Sequence, residues 1–89
     1  MKNYSLLLAW PVIEQLNALP KNRRQRLGRQ LLRLEDSPDA LSEFAATSAD
    51  GRKLDVFIFD GWAVFYWIDF ADRHVKVLDM KPADRVERA

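Results

Sequence analysis

The 89-residue sequence contains no cysteine and a single histidine, His74. The first absence excludes a disulfide framework, a thiolate metal site and a cysteine nucleophile. The second leaves too few imidazoles for the usual two- or three-histidine metal centres. Only three glycines and four prolines are present, and no Gly/Ser-rich linker, internal repeat or low-complexity tract divides the chain. The longest apolar stretches fall far short of the roughly 18–20 residues that a membrane span needs. The run behind Met1-Lys2-Asn3-Tyr4 is too short for the apolar core of a secretory signal. The reducing cytosol is therefore the expected compartment, with no membrane contact. What remains is 48% hydrophobic and 30% charged, a globular balance rather than a disordered one. One domain over residues 1–89 is expected, burying roughly 60% of its unfolded surface around a small core.

Fourteen Lys plus Arg against thirteen Asp plus Glu give a formal net charge of +1. Globally, that argues against a dedicated nucleic-acid binder. Locally the charge is polarised. Lys21, Arg23, Arg24, Arg26, Arg29 and Arg33 form a stretch with no acid, and Glu35, Asp36, Asp39, Glu43 and Asp50 follow with no base.

Tyr4-Ser5-Leu6-Leu7-Leu8 reads as a strand, apolar enough to be at least half buried. Pro11 suits the first turn of a helix, where its missing N–H costs nothing. Val12, Ile13, Leu16 and Leu19 continue at helical spacing until Pro20 stops them. A second helix is expected from about Lys21 to Glu35, ended by Ser37-Pro38 because a residue before proline disfavours the helical region. Its leucines at 27, 31 and 34 fall within about 60° of one another, a single buried stripe. Arg26, Arg29 and Arg33 lie on the far side. The short link through Pro20 predicts an antiparallel helical hairpin. Leu41, Phe44 and Ala45 fit one or two further helical turns, and Thr47-Ser48-Ala49-Asp50-Gly51 is a turn signal.

The last third carries the strongest pattern. Leu54-Asp55-Val56-Phe57-Ile58-Phe59 is rich in β-branched and aromatic residues, and Asp60-Gly61 is a two-residue hairpin turn. Trp62 to Ile68 is the return strand, and Val75 to Met80 a third, with Lys76 and Asp79 expected on opposite faces. Both faces of the middle strands are apolar. One can pack on the helices; the other needs a curved sheet, a partner chain or exposed aromatics.

An α+β chain of order β-α-α-β-β-β, a strand, a helical hairpin and a three-strand antiparallel meander, resembles the RelE/ParE superfamily of toxins from bacterial toxin–antitoxin pairs. The resemblance runs through Tyr4, Leu16-Asn17-Ala18-Leu19-Pro20, the arginine-rich second helix, Gly51-Arg52-Lys53-Leu54 and Gly61-Trp62 with Val64-Phe65-Tyr66-Trp67-Ile68-Asp69, and closes with Val75 to Met80. For the RelE branch it implies cleavage of mRNA in the ribosomal A site without metal or cofactor. The ribose 2′-hydroxyl attacks the adjacent phosphate, and cations stabilise charge on phosphorus. For the ParE branch it implies inhibition of DNA gyrase. A third reading keeps the fold as a non-enzymatic binding module. Either toxin branch implies a cognate antitoxin as partner; ribosome and mRNA, or gyrase, are the implied targets. Many RelE-like toxins carry an arginine directly after the glycine–aromatic pair, whereas this chain has Ala63.

The candidate site residues follow from this frame. Arg52 and Lys53 stand at the mouth of the hairpin strand, one on each face, as phosphate contacts or as a solvated strand entry. Lys81 and Arg85 follow the last strand, close to where the resemblance puts catalytic bases. His74 is the one side chain whose ordinary pKa lies near neutrality, so it is a candidate for proton transfer; a plain surface histidine is the alternative. Arg26, Arg29 and Arg33 could bind nucleic-acid backbone, form a solvated face, or receive an acidic antitoxin segment. Tyr66 could stack on a base or donate a hydrogen bond, but a half-buried sheet tyrosine is the simpler account. Trp10, Trp62 and Trp67 could form a stacking platform or belong to the core.

Overall fold

A computed structural model describes residues 3–86. Strand β1 (Ser5–Leu8) leads into helix α1 (Trp10–Asn17), with Pro11 in its first turn. Helix α2 (Lys21–Leu32) tightens into a 3₁₀ turn at Arg33–Glu35. Strands β2 (Phe44–Thr47), β3 (Lys53–Phe59), β4 (Trp62–Asp69) and β5 (His74–Pro82) follow, and a second 3₁₀ turn covers Ala83–Arg85. The sheet order is β1-β5-β4-β3-β2, with β1 parallel to β5 and every other pair antiparallel. This is the expected α+β arrangement with one strand more.

That extra strand corrects the helical turns expected around Leu41, Phe44 and Ala45. Phe44 and Ala46 are half buried and Ala45 and Thr47 exposed, a period of two rather than 3.6. Phe44 and Ala46 pack against Leu54, Val56 and Phe65, so a ready-made apolar sheet face overrides weak local helix propensity. The acidic connector is put to work holding this edge. The Glu43 carboxylate accepts the Ile58 N–H at 2.7 Å, and Asp55 accepts the Ser42 hydroxyl at 2.8 Å. At the opposite edge the Glu35 carboxylate accepts the Leu6 N–H at 3.1 Å.

Both helices cover one sheet face. Val12 of α1, the predicted stripe Leu27, Leu31 and Leu34, and Phe57, Val64, Tyr66, Ile68, Val75, Val77 and Met80 of the sheet form the main core. Tyr66 is wholly buried in it, and its hydroxyl donates to the Pro38 carbonyl at 2.5 Å. Burial, and secondarily the Asp55 charge, pushes that phenol well above its ordinary pKa. The β3–β4 hairpin turns at Asp60 and Gly61 with φ of 53° and 81°. Both are left-handed, as a type I′ turn requires, and the Asp-Gly pair meets that requirement.

Candidate functional site

Directly opposed residues on antiparallel strands share a face, so the β4–β5 register defines what the helix-free side displays. Ala63 stands opposite Lys81, Phe65 opposite Asp79 and Trp67 opposite Lys76. The register shifts between Phe65 and Tyr66, which face Asp79 and Val77 respectively, leaving Leu78 as the extra residue of a β-bulge. The bulge corrects the expectation that Lys76 and Asp79 lie on opposite faces. Leu78 packs with the helix-free cluster, Met80 returns to the helix-side core, and both charged residues end on the helix-free face.

Cations and aromatics pair along this face. The Arg52 guanidinium lies 5.3 Å from the Trp67 ring centroid, the Lys76 ammonium 4.9 Å from the same ring, and the Lys81 ammonium 5.4 Å from Phe65. Each lies within the roughly 6 Å at which a ring face attracts a cation. Lys76 is also bridged to Asp69 at 3.6 Å. Arg52 is fixed from behind by its own turn. Its N–H donates to Ser48 Oγ and to Asp50 Oδ1, both at 3.2 Å, while the Ser48 hydroxyl donates to Asp50. The Ser48 and Arg52 donors hold the Asp50 carboxyl below its ordinary pKa.

Beyond β5, Pro82 turns the chain into the Ala83–Arg85 segment, anchored by the Ala83 N–H on the Gly61 carbonyl at 2.8 Å. Val86 packs on the helix-free cluster. Arg85 and Lys81 thereby border a cleft of about 320 Å³ floored by Ala46 and Phe65. A neighbouring cleft of about 340 Å³ shares Phe65 and Lys81 and adds Ser48, Leu78 and Asp79.

Of the residues singled out in the sequence, Arg52, Lys81 and Arg85 come to this face. Lys53 alternates away from Leu54 and falls on the other side of β3. His74 opens β5, opposite Asp69 and beside Ser5, seven residues and about 23 Å of strand from Lys81. Asp69, Asp72 and His74 bring one ligand-type atom each within 4.8 Å of one another. The Asp69 carboxylate already accepts the Asp72 N–H at 3.1 Å, which holds its pKa below the ordinary value, with Lys76 adding to the effect.

The helix arginines stand apart. Arg26 bridges to Asp60 at 3.1 Å, Arg33 donates to Gln30 at 2.6 Å, and Arg29 borders an apolar groove between β1, α1 and α2. Trp62 packs on the helix-side core and Trp67 on the helix-free cluster, while Trp10 is 67% exposed.

Sequence reasoning missed Phe65, Lys76 and Asp79 as site residues. The alternation Ala63, Phe65, Trp67 against Val64, Tyr66, Ile68 carries enough signal to find Phe65. Asp79 carries none, because simple alternation from Val75 and Val77 puts it in the core.

No protein-family model matches the sequence, and no curated protein matches it. Solved structures do. The archaeal RelE–RelB complex from Pyrococcus horikoshii OT3 contains a chain that superposes with a TM-score of 0.75 at 23% identity, over 94% of this chain and 99% of that one. A chain of the RelBE2 toxin–antitoxin complex from Mycobacterium tuberculosis gives 0.75 at 14% identity, over 90% and 98%. The intact E. coli RelBE complex gives 0.69 at 17% identity, over 92% and 99%. The chain therefore has the RelE fold along nearly its whole described length.

Proposed function

We propose that this chain is the toxin half of a type II toxin–antitoxin pair, inhibiting translation by cleaving mRNA on the ribosome. One observation carries the reading: Lys81 stands directly across from Ala63. Opposed side chains begin about 5 Å apart. The cation that many RelE-like toxins carry after the glycine–aromatic pair is thus supplied from the neighbouring strand. Arg52 and Arg85 add charge around the same aromatic floor, which suits a phosphodiester whose attack builds negative charge on phosphorus. The half-buried Trp67 offers a ring on which a base can stack, while the buried Phe65 floors the cleft beneath Lys81. RNA cleavage through the 2′-hydroxyl asks for cations and proton transfer, and this face contains side chains suited to both.

An antitoxin is the accompanying partner. The groove of about 510 Å³ between β1 and the helices is walled by Leu6, Leu8, Leu16, Leu31 and Leu32, with Arg29 on its rim. An apolar groove beside a basic helix suits a partner segment with leucine-like anchors and acidic flanks.

The test is a purified translation system containing ribosomes stalled with a codon in the A site. Wild-type protein should cut the mRNA there, and the Arg52→Ala/Lys81→Ala double variant should not. Intact mRNA together with inhibited gyrase in a supercoiling assay would replace this reading with the gyrase-directed one.

A further inference from the structure

Asp79 is a carboxylate on the face that carries Arg52, Lys76 and Lys81, and unlike Asp69 it has no salt bridge there to either lysine among the described residues. By strand period it belongs with Val75 and Val77, both fully buried under the helices, where an unpaired carboxylate would cost several kcal/mol. The Leu78 bulge turns it out instead, directly across from Phe65. Bulges beside active sites commonly re-aim a side chain in this way. An acid that merely escaped the core would weaken RNA binding, so its placement calls for a chemical account.

We infer that Asp79 is the general base of the cleavage reaction, an assignment that rests on the nuclease reading. Its Oδ1 accepts the Met80 N–H at 2.8 Å, which fixes the carboxylate and leaves Oδ2 for a substrate. Among the described residues it forms no ion pair, although Lys76 and Lys81 share its strand face. Asp79 and Lys81 border the same cleft. Two residues apart along β5, they are separated by about 6.6 Å of strand, so a carboxylate can meet the ribose while the ammonium meets the adjoining phosphate. His74, five residues back, lies about 16 Å away by the same rise.

The step balances without a further reagent. Asp79 takes the proton of the 2′-hydroxyl as O2′ bonds to phosphorus. The bond from phosphorus to O5′ breaks, and O5′ takes a proton from water. The products are a 2′,3′-cyclic phosphate and a 5′-hydroxyl, and Asp79 returns its proton to solvent. Lys81 stays charged throughout, holding the phosphoryl oxygens.

The experiment is single-turnover cleavage on programmed ribosomes with wild type, Asp79→Asn and Asp79→Ala, alongside ribosome binding and thermal unfolding of each. Asparagine keeps an oxygen for the Met80 N–H but cannot take a proton. It should cleave at least 100-fold more slowly, the lower end of what a general base contributes, with ribosome binding no weaker than that of wild type. Added formate should restore at least tenfold of the Asp79→Ala rate, about the smallest gain that marks a replaced carboxylate. A structural role cannot be rescued that way. Asparagine cleaving within about threefold of wild type, or losses of cleavage and binding in parallel without formate rescue, would overturn the assignment alone. Wild-type protein that leaves the mRNA whole removes the nuclease reading and the assignment together.

Discussion

The chain displays two cationic regions, one on the outside of α2 and one on the helix-free side of the sheet, and they are built differently. On the helix, arginines follow one another at helical spacing and meet polar partners, Arg33 the neighbouring Gln30 and Arg26 the distant hairpin residue Asp60. On the sheet, Arg52 from the entry to β3 and Lys76 and Lys81 from β5 lie over aromatic rings. The helix leaves Arg26 and Arg33 exposed to solvent, where charge is screened within about a Debye length, while Arg29 borders an apolar groove. The sheet places charge against apolar surface beside clefts, where it acts more strongly on a bound anion. Charge density along a sequence is thus a poor guide to where cations gather over aromatic surface.

The sharpest way to break this contrast is to remove charge from one region at a time. Arg52→Ala/Lys81→Ala should lower mRNA cleavage about 100-fold or more, by analogy with loss of other preorganised charge stabilisers. Arg29→Ala/Arg33→Ala should stay within about threefold of wild type in the same assay, since it touches no transition-state charge. A comparable fall for the helix pair would abolish the distinction.

Tyr66 sits on the helix side of β4, between the two regions, and ties the sheet to the segment after α2. Tyr66→Phe leaves the buried Pro38 carbonyl without its donor and should cost about 1–3 kcal/mol in urea unfolding. The folded phenol titrates well above its ordinary value, so the unfolded chain releases that proton first. The corresponding stability is complete below about pH 10, the ordinary tyrosine value, and falls as pH rises beyond it. The phenylalanine variant should lose that part of the alkaline slope, and an unchanged slope would refute the linkage. The smallest effect belongs to Arg26. Its bridge to Asp60 is exposed, so Arg26→Ala should change stability by no more than about 1 kcal/mol and leave cleavage unaltered. A larger thermal shift would mean that the helix arginines hold the hairpin in place.

Local patterns made much of the fold legible. The leucine stripe of α2, Pro11 in the first turn of α1, Asp60-Gly61 at the hairpin and the alternating run through β4 each obey a rule that needs only a few neighbours. Strand β2 did not show itself, because Phe44 and Ala46 become strand residues only when the apolar face of β3 and β4 is there to receive them. Within the site, Arg52, Lys81 and Arg85 stood out as cations flanking strands. Phe65 was hidden among core aromatics of the same type, and Trp67 was one of three tryptophans that fitted a stacking platform or the core alike. The placement of Lys53 and His74 away from Lys81 follows from strand parity and strand length, which matter only once both ends of the sheet are fixed.

The sequence by itself determined the absence of thiol chemistry, the layering of two helices on a hairpin-rich sheet, and a charge balance near zero made of opposed blocks. Those are properties of composition and short-range periodicity. Tertiary structure decided which cations converge, that Lys81 faces Ala63, and that a one-residue bulge at Leu78 turns Asp79 out of the core. Such choices depend on inter-strand register, and a shift of one residue exchanges the two faces of a strand. The alternation of β5 alone does not reveal that shift; it shows only in the pairing of β5 with β4.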